Sequence, residues 1–336
     1  MKMINKKREY PLCSPKGCAL MILLFAVSVL LALRYGSADM TLSQFVLAFF
    51  GRSENEIDTV ILYMVRLPRI IAAVLSGVGL SVSGVLLQTV TDNSLAGPNI
   101  IGVNAGAGFA VVLTIALAPT LFYLIPLCAF FGALLTTMVI VFLAGRGMRS
   151  KTSVVLAGVA VTALLNALIS AFTLIDSDIL SSFNSFSIGG FSGITSQRLI
   201  IPSVIIFISI TVSLVFAPKL SMLCIGDAYA TSLGVPVRAV RFVGIVCASA
   251  SAAAVVSFAG LLGFVGLIVP HISRRLVGTK TRPLLLTSAI VGAIITVLAD
   301  LLGRVLAAPS EIPVGIMMAF IGAPFFIHLL LRSREA

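Results

Sequence analysis

The chain has no tryptophan, only two histidines, five scattered cysteines and very little charge. Charged residues make up 10% of its 336 positions, whereas a soluble protein carries about 25%. That scarcity excludes an ordinary soluble domain. With 59% hydrophobic residues, it indicates an all-α polytopic membrane protein. Without tryptophan, any aromatic belt at the membrane surface must use the 5 Tyr and 21 Phe. Cys13, Cys18, Cys128, Cys224 and Cys247 form no CxxC or CxxH pair, so neither a zinc site nor a disulfide framework is indicated. His271 has no second ligand at helical spacing and His328 is distant, so no metal site is expected. No G-x-x-x-x-G-K-[ST] phosphate loop occurs, so any ATP used must be used by another polypeptide. The net charge of +11 does not indicate nucleic acid, because the basic residues lie between apolar runs and form no contiguous patch.

A bilayer core needs about 20 apolar residues per helix. Ten spans are expected, at about 18–35, 67–91, 99–118, 121–144, 152–174, 199–217, 237–257, 261–275, 283–303 and 312–332. The eighth is short and glycine-rich and is not expected to cross as one straight helix. With the N-terminus inside, only Arg34, Arg52, Arg66, Arg69, Arg198 and Arg304 fall on outer segments, and the other 17 of the 23 basic residues fall inside. This asymmetry fits the positive-inside rule and puts both termini in the cytoplasm. The domain reading is a cytoplasmic tail (1–17), one transmembrane domain (18–332) and a short cytoplasmic tail (333–336). The first span follows Lys6, Lys7, Arg8 and Lys16, and Gly36-Ser37-Ala38 resembles a cleavage site; a signal peptide is the alternative to an uncleaved span. Small-residue segments recur at Ser76–Gly84 and Ala248–Ala254, either as traces of an inverted repeat or simply as close-packing surfaces.

Several polar interruptions stand out. Arg66-Leu-Pro-Arg69 opens the second span, where Pro68 suits a first helical turn. Two arginines at a helix N-terminus oppose its dipole, so they either snorkel to headgroups or form an outward cationic site. The turn Asp92–Pro98 is an ordinary loop or a narrow inner closure, with Asn93 and Leu95 at the constriction. The connection at 224–235 reads as a short cytoplasmic helix, capped by Asp227 and stopped by Gly234 and Pro236. That helix either lies on lipid or inserts into a cytoplasmic partner. Asp300 lies four residues before Arg304, a spacing that allows an ion pair.

Taken together, these stretches resemble the permease family of ABC importers for iron-siderophores, haem and vitamin B12. The landmarks are R-L-P-R at 66–69, S-G-V-L-L-Q at 83–88, N-x-L-A-x-P at 93–98, L-A-G-V-A at 156–160 and I-G-G-F-S-G at 188–193. They continue with G-D-x-x-x-x-S-L-G-V at 226–235, G-F-V-G-L-I-V-P-H-I-x-R at 263–274, A-D-L-L-G-R at 299–304, I-P-V-G-I at 312–316 and G-A-P at 322–324. The inner turn departs from the family, with Asp92-Asn93-Ser94 where many members have Arg-Asn-Pro. The segment before Gly189 also lacks the Trp frequent there.

The resemblance implies a type II ABC importer permease fold in the bacterial cytoplasmic membrane, surrounded by lipid and working as a homodimer or a heterodimer with a related permease. Two cytoplasmic ATPase subunits and an extracytoplasmic binding protein would complete it. The cargo implied is a siderophore-type iron chelate, with haem or vitamin B12 as alternatives. Residue by residue, it assigns Arg66, Arg69 and Arg304 to binding-protein docking and Asn93 and Leu95 to the inner gate. Asn166 and Ser170 would line the pathway. Gly226, Asp227, Ala230, Leu233 and Gly234 would form the helix that couples to the ATPase. No catalytic residue, bound cofactor or metal is implied for this chain. A secondary transporter, the rival reading, would need mid-membrane ionisable residues, and Asp300 is almost the only one.

Overall fold

Inside a bilayer, every backbone N–H and C=O must be satisfied by the protein, which restricts long apolar runs to helices. The computed structural model describes residues 15–37, 40–53, 55–145 and 151–333. Among the described residues there is no strand. In chain order the helices are α1 (Pro15–Arg34), α2 (Leu42–Phe49), α3 (Glu56–Val60), α4 (Leu67–Thr91), α5 (Val103–Leu117), α6 (Ile125–Gly145), α7 (Lys151–Ile175), α8 (Ser177–Ile188), α9 (Ser196–Leu223), α10 (Asp227–Ser232), α11 (Val237–Ala259), α12 (Val265–Val277), α13 (Thr281–Leu306) and α14 (Val314–Ser333). Most of the expected tail 1–17, most of the tail 333–336, and Lys2, Lys6, Lys7, Arg8, Arg146, Arg149 and Arg334 from the charge count lie outside the described residues.

Each expected span falls on one of these helices: α1, α4, α5, α6, α7, α9, α11, α12, α13 and α14. Among the described residues, seven helical segments are long and apolar enough to cross a bilayer on their own. By contrast α12 has 13 residues, about 20 Å at 1.5 Å per residue, and a bilayer core is about 30 Å thick. The first apolar run is integrated into the fold, since α1 packs along α13. One expectation is corrected at the second span. Arg66-Leu-Pro-Arg69 does not start its helix, because α3 and a π-helical turn (Ile61–Arg66) run straight into α4. The π turn shifts the hydrogen-bond ladder just before Pro68, which has no N–H to offer it.

Helix α4 is the axis of the fold. In the continuous helical segment Glu56–Thr91 that contains it, 78% of the apolar window is buried, against 17% for that of α7. Without a hydrophobic drive between helices in lipid, close van der Waals contact has to hold them, and glycine supplies it. A Cβ on Gly77 would overlap the Gly292 carbonyl of α13, and one on Gly84 would overlap the Gly266 carbonyl of α12. The two small-residue segments seen in the sequence are each other's partners. Ser251 Oγ of α11 donates to the Gly79 carbonyl of α4 at 3.0 Å.

Helix α12 contains Pro270, which cannot donate to the carbonyl of Gly266 four residues earlier. Gln88 Nε2 of α4 reaches that carbonyl instead, at a long 3.4 Å. The stretch 260–264 before α12 is not helical, and Phe264 caps it with a left-handed backbone at φ 65°.

Gly84→Ala is expected to destabilise the protein by about 1–3 kcal/mol through overpacking against Gly266, read as a lower melting temperature in detergent. Gly97→Ala, whose added Cβ would meet nothing within 4 Å, is the control. Equal melting temperatures would refute the close-contact account.

Candidate functional site

Two polar assemblies sit at opposite ends of α4. By the charge count, the outer one surrounds Arg66, Arg69, Asp300, Arg304 and Glu311. The last carbonyls of a helix have no intrahelical donor, and the end of α1 receives two guanidinium groups. Arg66 Nη1 donates to the carbonyls of Leu33 at 2.7 Å and Arg34 at 2.8 Å. Arg304 Nη1 donates to Ala32 at 3.3 Å and Tyr35 at 3.2 Å. Arg66, which looks unfavourable just before α4, therefore sits favourably at the negative end of α1, and Arg304 of α13 joins it there.

Arg69 grips Asp300 from α13. Its Nε lies 3.1 and 3.0 Å from the two carboxylate oxygens, and its Nη2 is 2.9 Å from Oδ1. Arg304 Nε lies 3.1 Å from Asp300 Oδ2, close enough for charge attraction but misaligned for a hydrogen bond. Arg69 Nη1 also donates to Glu311 at 2.6 Å, and Ser37 Oγ donates to the other Glu311 oxygen at 2.9 Å. Burial alone would raise the Glu311 carboxyl. The hydrogen bond and charge of Arg69, helped by Ser37 and Arg304, outweigh it and hold the group below its usual range. Arg69 and Glu311 form one wall of a cleft of about 390 Å³, which Ser185, Phe191 and Ser192 help to line.

The expectation of an outward cationic site is corrected in one respect. Arg66, Arg69 and Arg304 are 3%, 6% and 2% exposed, and each donates to this chain's own carbonyls or carboxylates. Glu311, which sequence reasoning did not single out, stands at the solvent edge of the cluster.

At the inner end, Asp92 closes α4 with a left-handed backbone at φ 50°. Asn93 Oδ1 then accepts from Leu95 N–H at 2.9 Å, which fixes the turn. Asn93 is half-buried and Leu95 is exposed. A cavity of about 200 Å³ lies between this turn and the break before α12, lined by Leu95, Pro98, Leu262 and Phe264 among others. The expected constriction and the broken eighth span are thus neighbours.

Helix α10 packs against α9 and α11 at the same end. Gly226 and Gly234 flank it with φ of 126° and 77°, values that only glycine adopts without strain. Asp227 is not its cap, which is another correction. Gly226 holds that position, and the Asp227 carboxylate instead accepts from Arg241 at 2.9 and 3.0 Å. Ala230 is fully buried against the bundle, whereas Tyr229 and Leu233 are 52% and 53% exposed. A partner would therefore meet Tyr229 and Leu233, not Ala230. Asn166 and Ser170 occupy an exposed face of α7, where the Ser170 hydroxyl is bonded back to the Asn166 carbonyl at 2.9 Å.

The profile of the FecCD transport family matches residues 23–332. The Fe(3+)-citrate import system permease protein YfmE of Bacillus subtilis (strain 168) is 34% identical over 98% of this chain and 98% of its own length. The hemin transport system permease protein HmuU of Yersinia pestis is 35% identical over 93% of this chain and 95% of its own. Among solved structures, a metal-chelate type ABC transporter in an inward-facing conformation superposes with a TM-score of 0.83 at 29% identity, covering 95% of this chain and all of that one.

Asp300→Asn removes the counter-charge shared by two buried guanidiniums and is expected to cost about 3–5 kcal/mol of stability. Glu311→Gln, at the solvent edge, is expected to cost roughly 1 kcal/mol. The Glu311 contribution is complete above the ordinary carboxylate pKa and is lost as pH falls through the lower folded value. Acidification should therefore shrink the difference between wild type and Glu311→Gln in thermal melts. A difference independent of pH would contradict the assigned pairing.

Proposed function

The chain belongs to the FecCD transport family, and from that membership we propose that it is the permease subunit of an importer that moves a siderophore-type iron chelate across the cytoplasmic membrane. The observation carrying this reading is the match over nearly the whole chain, in sequence and in fold, to transport permeases. The chain itself performs no catalysis; ATP is consumed by separate ATPase subunits, and an extracytoplasmic binding protein delivers the cargo. Haem is the second reading for the cargo, favoured by the 35% identity to the hemin permease.

The geometry supports a division of labour. A polar face left uncovered in a spanning helix is unfavourable against lipid. Asn166 and Ser170 on α7 therefore call for a second permease copy or a related chain opposite, with the pathway between. Tyr229 and Leu233 on α10 offer apolar contacts to an ATPase cleft, and Asn93 and Leu95 close the inner end. Docking of an acidic binding protein at the outer cleft would proceed by exchange. An incoming carboxylate would take the place of Glu311 on Arg69, the most accessible link in the cluster.

Three tests follow from this reading. In vesicles holding the whole complex, uptake of ferric citrate, a ferric hydroxamate or haem should stop when the ATPase cannot hydrolyse ATP; uptake that persists would sink the proposal. Leu233→Glu should break the link between hydrolysis and uptake, and normal coupling would show that α10 merely rests on lipid. Glu311→Gln should tighten binding-protein association and Arg69→Glu should weaken it, most clearly at low salt; no change in either would rule out the exchange.

A further inference from the structure

Arg241 belongs to the inner assembly, yet no motif points to it. It lies in the second turn of α11 and is 7% exposed. Its guanidinium joins two elements distant in sequence. Nε donates to the carbonyl of Val90, in the last turn of α4, at 3.1 Å, and Nη2 donates to both oxygens of Asp227, the first residue of α10. Each end suits the group electrostatically. The Val90 carbonyl is one of the unpaired acceptors at the negative end of α4, and a carboxylate is favoured at the start of α10. A planar guanidinium fixes both partners at once in a rigid fork, which a lysine ammonium on its flexible stem does only loosely.

We infer that Arg241 is the transmission link of the transport cycle, carrying the displacement of α10 to the end of α4 that bears the inner closure. The inference rests on the reading of α10 as the ATPase-contacting helix. Two residues after Val90 the chain turns left-handed at Asp92, and Asn93 then pins the amide of Leu95. A pull on the Val90 carbonyl is therefore delivered directly to the gate turn. The packing leaves little slack, because a Cβ on Gly244, one turn further along α11, would lie 2.6 Å from a Val90 methyl carbon. Ala230 of α10 and Val235 just after it are buried, which leaves α10 an apolar anchorage when Arg241 is replaced, so the fold and the complex should stay intact.

The test uses the complete complex in vesicles, with Arg241→Gln, Arg241→Lys and the charge swap Arg241→Asp with Asp227→Arg. Three quantities are measured: co-purification of the ATPase, ATP hydrolysis, and uptake of the iron chelate that the wild type carries. In Arg241→Gln the complex should assemble and hydrolyse ATP, while uptake per ATP falls about tenfold, the scale of one charge-assisted hydrogen bond. Arg241→Lys should fall between that variant and the wild type. The charge swap Arg241→Asp with Asp227→Arg should not restore coupling, because it rebuilds the ion pair without the Val90 bond. Unchanged uptake per ATP in Arg241→Gln, or full rescue by the swap, would overturn the inference. So would a parallel loss of assembly, hydrolysis and uptake, which marks a purely structural role. A wild-type complex without ATP-dependent uptake would instead bring down the importer reading itself, and the inference with it.

Discussion

The carbonyl oxygens in the last turn of a helix have no donor within that helix, and beside a bilayer water is a poor substitute. The fold meets this constraint with long side chains borrowed from neighbouring helices. Arg66 and Arg304 serve the end of α1, and Arg241 serves the end of α4. Gln88 reaches the carbonyl that Pro270 leaves open inside α12. A guanidinium used this way brings a charge that must itself be balanced. Asp300, Glu311 and Asp227 are placed where they do so. Backbone satisfaction and charge balance are thus met by the same few residues, and those residues gather at the two ends where a transporter has to open.

Helix α4 connects the two gatherings. Arg69 lies in its first turn and Val90 in its last, and its 25 residues span about 37 Å at the usual rise. Along that length it touches α13, α11 and α12 at glycines, with backbone against backbone or hydroxyl. Contacts of this kind are stiff, since no side chain is present to adjust. A helix held so closely moves with its neighbours as a body, the behaviour expected when a packed bundle switches between discrete arrangements.

The apolar runs were readable as spans because a bilayer imposes a length and forbids unpaired backbone, and each run became a helix. The pair Asp300 and Arg304 was readable from spacing alone. The partners of Arg69 were not, because Asp300 and Glu311 stand 231 and 242 residues away in sequence. A sequence shows an arginine near an interface but not whether its guanidinium points outward or folds back onto a carbonyl, so the burial of the cluster was invisible. The role of Asp227 was misread for a similar reason. A carboxylate at a helix start is ordinarily a cap, and only the fold brings Arg241 within reach. Short elements such as α2, α3 and α8 escaped notice because they are shorter than any span and lie in segments of mixed polarity. For the small-residue segments the pattern was legible but not the pairing.

If the exposed face of α7 lines the pathway, as proposed, it has a consequence for how cargo preference changes over evolution. If two identical chains face each other across the pathway, each substitution on α7 is written into the lumen twice, once from either side. One codon change at Asn166 or Ser170 would then alter the lining symmetrically, while the glycine contacts and arginine ties elsewhere stayed untouched. A heterodimer removes that doubling and lets the two walls diverge. A lineage that duplicated this gene would gain the freedom to fit a lopsided ligand without rebuilding the machine around it.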